Sequence, residues 1–201
     1  MSKDNGMYKL PKNFFDENPI KEVSAAYLTY FQIQTYDFPG FNDEIEQLVV
    51  SKMDKDRCEK YVDEKQHILE IDNADDAIMY MRKIKELQNR AILTEKVLSM
   101  QDEVMPLILK RLLTSGHDVF IESAVCALAY ADMKYVEMLY DMFKDIRSPY
   151  ARSEASIVFG VQKRRDYTPL LLEQYKKIRL ECPEKDYEQG PLLALYLIHE
   201  T

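Results

Sequence analysis

Tryptophan is absent from the 201 residues, and glycine occurs only five times. So few glycines disfavour Gly-rich phosphate loops and turn-rich β architectures. Cysteine is equally sparse: Cys58, Cys126 and Cys182 are odd in number and far apart, with no C-x-x-C and no Cys/His metal spacing. Cys126, flanked by Ala124, Val125, Ala127 and Leu128, is expected to pack as a small inert hydrophobe. Histidine is limited to His67, His117 and His199, none with a second His or Cys at ligand spacing, so neither a metal site nor a cofactor is predicted. Long apolar runs are missing too. A run such as Leu192 to Ile198 falls far short of the roughly 20 residues a membrane helix needs. Met1 to Lys12 mixes Lys, Asp, Asn and Gly and does not read as an export signal, so a reducing cytoplasm is the expected location.

What the chain does have is charge and helical periodicity. Hydrophobic residues make up 46%, ordinary for a folded globular chain. Asp and Glu total 35 against 27 Lys and Arg, a net charge of −8. The excess is local, because residues 37–76 hold 13 acidic and 5 basic side chains and account for all of it. Such a surface repels phosphate backbones and speeds encounters with basic proteins, so nucleic acid is an unfavoured partner. A charged surface of this kind also serves solubility alone.

Apolar residues recur at three- and four-residue spacing from Ile20 onward, as one helix face requires. Ile20, Val23, Tyr27, Tyr30 and Phe31 form a first stripe, and Asp37-Phe38-Pro39-Gly40 a turn. Asn42 is a candidate N-cap for a helix carrying Ile45, Leu48, Val49 and Met53. Cys58, Tyr61, Val62, Ile68 and Leu69, then Ile78, Met81, Ile84 and Leu87, give two more stripes. No segment alternates with a period of two, so no sheet is predicted. The second half is more regular. Leu107, Ile108 and Leu112, then Met138, Leu139 and Phe143, then Leu170, Leu171 and Tyr175 repeat one pattern with starts 31 and 32 residues apart. Between them lie shorter apolar segments at 118–130, 148–160 and 186–199. Ser148-Pro149 and Thr168-Pro169 read as caps followed by proline at the helix start, and Ser115-Gly116 as a helix C-terminus. A repeated helix pair of about 30 residues signals an α-solenoid, in which each pair buries a face only against its neighbour.

The segment Ala151-Arg152-Ser153-Glu154-Ala155-Ser156-Ile157-Val158-Phe159-Gly160 resembles the second helix of HEAT-like repeats, with an Arg near its start, small residues after it and a Gly at its end. Ile121-Glu122-Ser123-Ala124 follows the pattern with Glu122 in the Arg place, and Asn89-Arg90 marks an earlier copy. In the last unit Tyr187-Glu188-Gln189-Gly190-Pro191 lacks the Arg. The small residues suit helices that cross closely. The resemblance covers about residues 89–199. It implies an all-α, right-handed α–α superhelix of stacked antiparallel helix pairs, with 1–88 as a helical extension or cap of a single domain.

That resemblance also implies a function class. A HEAT-like solenoid is expected to be a non-catalytic scaffold that binds a protein or peptide along its second helices, here through Arg90, Glu122, Tyr150, Arg152, Glu154, Tyr187 and Gln189. An immunity- or adaptor-type protein blocking a basic partner is one concrete form. The same fold occurs in alkylpurine DNA glycosylases, which implies a basic groove with aromatic contacts to a flipped base, and a bilin lyase-like repeat protein is a third form. Paired carboxylates at Asp63-Glu64, Asp75-Asp76 and Asp102-Glu103 point about 100° apart on a helix and do not converge on a substrate. Asp75 and Asp102 read as helix starts. His117 reads as part of a loop leading to a cap, and Lys163-Arg164-Arg165 as a basic loop. Fourteen tyrosines are divided between core stripes (Tyr27, Tyr30, Tyr135, Tyr167 and Tyr175) and contact positions (Tyr150 and Tyr187).

Overall fold

The computed structural model describes residues 9–21 and 43–199. The stripe from Val23 to Phe31, the turn at 37–40 and the Asn42 cap lie outside these residues. Within them there are eleven α-helices and no strand. They are α1 (Phe14–Glu17), α2 (Asp43–Val50), α3 (Lys55–Glu70), α4 (Ala74–Tyr80), α5 (Leu87–Ser99) and α6 (Gln101–Leu112). Then follow α7 (Asp118–Tyr130), α8 (Met133–Met142), α9 (Pro149–Val161), α10 (Thr168–Glu181) and α11 (Gln189–His199). The protein is all-α, and no described helix is long and apolar enough to cross a membrane.

Alternate helices pack on one another. One row runs α3, α5, α7, α9, α11, and beside it α4 packs on α6 and α6 on α8. Polar bonds keep the same stride. Asp132 N–H donates to Gln101 Oε1 at 3.0 Å, Lys134 and Tyr135 both reach Asp102 Oδ1 (2.7 and 2.6 Å), and Gln162 Nε2 donates to the Ala129 carbonyl at 2.9 Å. Their members stand 31 to 33 residues apart.

The apolar stripes supply the core. Ile108, Leu112, Leu139, Phe143, Leu170, Leu171 and Tyr175 are all buried. Met138 is not: it is 46% exposed, because the neighbouring Leu139 already faces α8's partners and one residue's step turns the side chain outward. The stripe through Ile78, Met81 and Ile84 is buried as well, yet α4 stops at Tyr80, so these residues enter the core from a short helix and its closing turns. Tyr135, Tyr167 and Tyr175 take the core positions predicted for them.

Helices α9 and α11 approach most closely. A Cβ on Gly190 would stand 2.2 Å from the Ser153 carbonyl oxygen, and one on Gly160 would stand 2.6 Å from Ala194 Cα. Small residues in α9 are therefore a steric requirement of this crossing. Cap chemistry agrees in part. Ser148 Oγ accepts from Ala151 N–H at 3.2 Å, with Pro149 opening α9. Thr168 does not cap α10: it is the first helical residue, and its hydroxyl lies 3.1 Å from His199 Nε2 instead. Gly116 stands four residues past the end of α6 in the connection to α7, its φ outside the left-handed region and open space where a Cβ would point.

The N-terminal part is divided between the two ends of the helix row. Residues 9–21 dock on the last helices, with the Phe14 ring 6.2 Å from Tyr175 and the Phe15 ring 5.5 Å from Tyr196. Tyr175 Oη donates to Asn18 at 2.6 Å, and Lys21 N–H donates to Gln189 at 2.9 Å. At the other end α2 meets α3, where Glu46 accepts from the Tyr61 hydroxyl and pairs with Lys65 at 3.1 Å.

Candidate functional site

The α3–α5–α7–α9–α11 row carries a line of polar side chains that hand hydrogen bonds from one helix to the next. Asn89 of α5 donates to the Tyr61 carbonyl (3.0 Å) and to Glu64 of α3 (2.9 Å). Arg90, the next residue, donates to Glu122 of α7 at 2.7 Å, and Tyr150 of α9 donates to the other oxygen of the same carboxylate at 2.9 Å. The Tyr150 ring then packs on Tyr187, just before α11, with centroids 5.5 Å apart. Four of the seven predicted contact residues are thus brought together: Arg90, Glu122, Tyr150 and Tyr187.

Their exposure differs. The Arg90 side chain is buried, while Glu122 keeps 30% of its side chain accessible and Tyr150 and Tyr187 are half-buried. The buried guanidinium is held by a carboxylate whose rim remains wet, so the charge cancels inside while an edge of Glu122 and two aromatic rings remain reachable. Breaking such a pair by removing one member is costly, because it strands the other charge in a poor solvent.

The other three predicted residues point elsewhere. Arg152 is buried, donates to the Ile146 carbonyl at 3.1 Å and pairs with Glu181 at the end of α10. It ties α9 to α10 from the inside. Glu154 is buried within α9. Gln189 is engaged by the backbone of Lys21 and so belongs to the docking of the N-terminal segment. Cys126 lies near this line. Burial first of all, and then the carboxylates Glu154 and Glu122, push its thiol up against the downward pull of Arg90, which keeps it protonated.

His117 occupies the N-cap of α7, its Nδ1 accepting from Phe120 N–H at 3.4 Å. Asp75 and Asp102 sit in first turns of α4 and α6, where their charge suits the helix dipole. Lys134 above all, with Tyr135, holds the Asp102 carboxyl below the usual range. In the basic loop Arg164 pairs with Asp166 and lies 4.9 Å over the Tyr167 ring, so that cation is already matched.

Two features escaped the sequence reading. The Arg90–Glu122 bond spans 32 residues, the same stride as the apolar stripes, and opposite charges at that spacing were the signal for it. The second is an open cavity of about 910 Å³ between α3 and the connection from α4 to α5. Five carboxylates and five cations line it, and Arg57 bridges its wall to Glu86 through two bonds of 3.0 and 2.8 Å. Tyr61 at its edge has its phenol pushed well up, by burial and then by the hydrogen bond to Glu46. No periodicity in the sequence signals a space formed by side chains of two helices and a turn. Among the described residues, no group of three or more His, Cys, Asp or Glu side chains is placed to hold a metal ion. Comparison with family models, with curated proteins and with solved structures finds no match to this chain.

Proposed function

We propose that the chain is a short HEAT-like solenoid, a right-handed superhelix of antiparallel helix pairs over residues 89–201 with helical extensions before it, and that it is a non-catalytic scaffold for a protein or peptide partner. The two-row packing and the polar bonds at a stride of 31 to 33 residues support the repeat reading. One observation carries the binding reading: the continuous line Arg90–Glu122–Tyr150–Tyr187, one step per helix, with its accessible portion acidic and aromatic. An extended segment with a Lys or Arg suits that line. The cation meets Glu122 and the faces of two tyrosines, and the acidic 37–76 region steers its approach. Tyrosine is a good anchor for such contacts, since a large rigid surface is ordered at little entropic cost.

The test is capture of partners from the native host, with wild type, Tyr187→Ala and Glu122→Gln side by side and circular dichroism to confirm folding. A specific partner retained by wild type and weakened about tenfold or more by Tyr187→Ala is the expected result. Capture unaffected by either substitution overturns the assignment of this line. Tight, salt-sensitive binding of duplex DNA in a filter assay overturns the protein-scaffold reading in favour of a nucleic-acid enzyme of the glycosylase type.

A further inference from the structure

A second cleft lies where the sequence singled out Asp75, Ser115-Gly116 and His117 but none of the cations. The connection from α4 to α5 closes with Arg82 N–H donating to the Met79 carbonyl (3.2 Å) and Lys83 N–H to the Tyr80 carbonyl (2.8 Å), which leaves both cationic side chains exposed. The connection from α6 to α7 is equally well tied. Thr114 and Ser115 N–H groups donate to the Arg111 carbonyl (3.2 and 3.0 Å), and His117 N–H donates to Ser115 Oγ (3.2 Å). Between these turns lie two adjoining cavities, of about 260 and 320 Å³, and Arg82, Arg111 and His117 line both of them. Lys83 joins them in the larger, and Asp75 is the one carboxylate there.

Three cations share this concave space, and Arg82 and Lys83 also border the carboxylate-lined cavity beside α3. Elsewhere Arg57, Arg90, Arg152 and Arg164 each meet a carboxylate. In this acidic chain a carboxylate should be easy to find. Yet among the described residues no carboxylate lies within ion-pair distance of Arg82, Lys83 or Arg111, although all three face shared cavities. Like charges gathered in a concave space raise the local potential, and an arriving dianion relieves it. Two guanidinium groups supply the planar donor forks that phosphoryl oxygens accept. The positive end of α7, a 13-residue helix, adds to the same field. Beside the cations, Met79 is 40% exposed and gives the larger cavity an apolar wall.

We propose that this cleft binds a diphosphate group carried on a small organic body, with Arg82 and Arg111 gripping the phosphoryl oxygens, Lys83 and His117 bordering them, and Met79 packing against the organic portion. Two adjoining cavities that share their cations suit two linked phosphoryl groups better than one. The site is independent of the Arg90–Tyr187 line.

Calorimetric titration of the full chain with inorganic diphosphate and with a nucleoside diphosphate, at low ionic strength, tests it. One-site saturation is expected, weakened about tenfold or more by Arg82→Gln or Arg111→Gln, weakened by added salt, and unchanged by Lys163→Gln in a distant loop. The nucleoside diphosphate should bind more tightly than the inorganic ion, and Met79→Ser should erase that advantage. Absence of saturable binding overturns the site, as does equal weakening by Lys163→Gln. Equal affinity for both ligands overturns the organic half of the proposal. Binding of duplex DNA at several equivalents per chain, stronger than that of either diphosphate, replaces the small-molecule site with a polyelectrolyte surface. All substituted residues are exposed, so circular dichroism and urea midpoints should match wild type.

Discussion

Helices α9 and α3 belong to the same row, yet they live in different environments. Every residue of α9 from Ala151 to Gly160 is buried, whereas the 16 residues of α3 bury only Tyr61 and Ile68. The cause is position. Helix α9 has α7 and α11 on either side and α10 beside it, while α3 has a single row neighbour, α5, and meets α2 through side chains. A helix enclosed on all sides is apolar or small except where a buried polar group finds a partner, as Arg152 does in Glu181, and a terminal one needs only a stripe. The lesson is that cohesion in this protein is graded along the chain: steric fit is closest at α9–α11, whereas at α2–α4 a narrower apolar stripe is joined by ion pairs such as Glu46–Lys65 and Arg57–Glu86.

The strongest way to break this contrast is to remove one large side chain from each end. Phe159 is fully buried, with ring centroids 4.7 Å from Tyr167 and 5.4 Å from Phe143. Phe159→Ala should cost about 3–5 kcal/mol in urea unfolding. Val62 of α3 is 55% exposed, and Val62→Ala should stay within about 0.5 kcal/mol. Similar losses at both positions would mean that α3 is covered in solution as α9 is.

Glycine gives a finer comparison. At Gly190 a new Cβ meets backbone atoms of Ser153, which cannot move aside as a flexible side chain would, so Gly190→Ala should cost about 1–3 kcal/mol. At Gly116 a Cβ meets nothing within 4 Å, and Gly116→Ala should stabilise by about 0.4–1 kcal/mol through the unfolded chain. Thermal midpoints of the two variants should therefore move in opposite directions. A neutral or stabilising shift at Gly190 would show that α9 and α11 do not cross at contact distance.

Much of this grading was legible in the sequence, for a physical reason. The spans 118–130, 148–160 and 186–199 come out as α7, as α9 with its cap, and as α11 with the short turn Asp186–Glu188 before it. Buried helices advertise themselves through small residues and apolar runs, and Ser148-Pro149 marks a start with two independent signals. The site was legible only in its membership. Arg90, Glu122, Tyr150 and Tyr187 share a line because alternate helices of one row lie side by side. That same stacking buries Arg152 and Glu154, which a one-dimensional pattern cannot distinguish from surface positions. The cation cluster at Arg82, Lys83 and Arg111 was invisible because two turns 29 residues apart in sequence, 82 to 111, become adjacent only once α4 packs on α6.

The smallest expected effect concerns pH at the weak end. The Tyr61 hydroxyl, more than Lys65, holds the Glu46 carboxyl below its ordinary value of 4.5, against the opposing effect of burial. Folding therefore favours the deprotonated form. The stability it contributes is present above about pH 4.5 and is lost as pH falls through the lowered value in the folded chain. Because Glu46 and Lys65 are only partly buried and solvent screens their pairing, the effect should stay below about 1 kcal/mol. In Glu46→Gln that term is gone. The gap in urea midpoint between wild type and variant should be widest near neutrality and close as pH drops below 4.5. Other depressed carboxyls, such as Asp102 and Asp166, are common to both proteins and cancel in the difference. Hydrogen exchange at low pH should then show α3 amides losing protection before those of α9, whose enclosure is chiefly steric. A gap that stays constant across the pH range, or α9 opening first, would mean that electrostatics do not set the difference between the two ends.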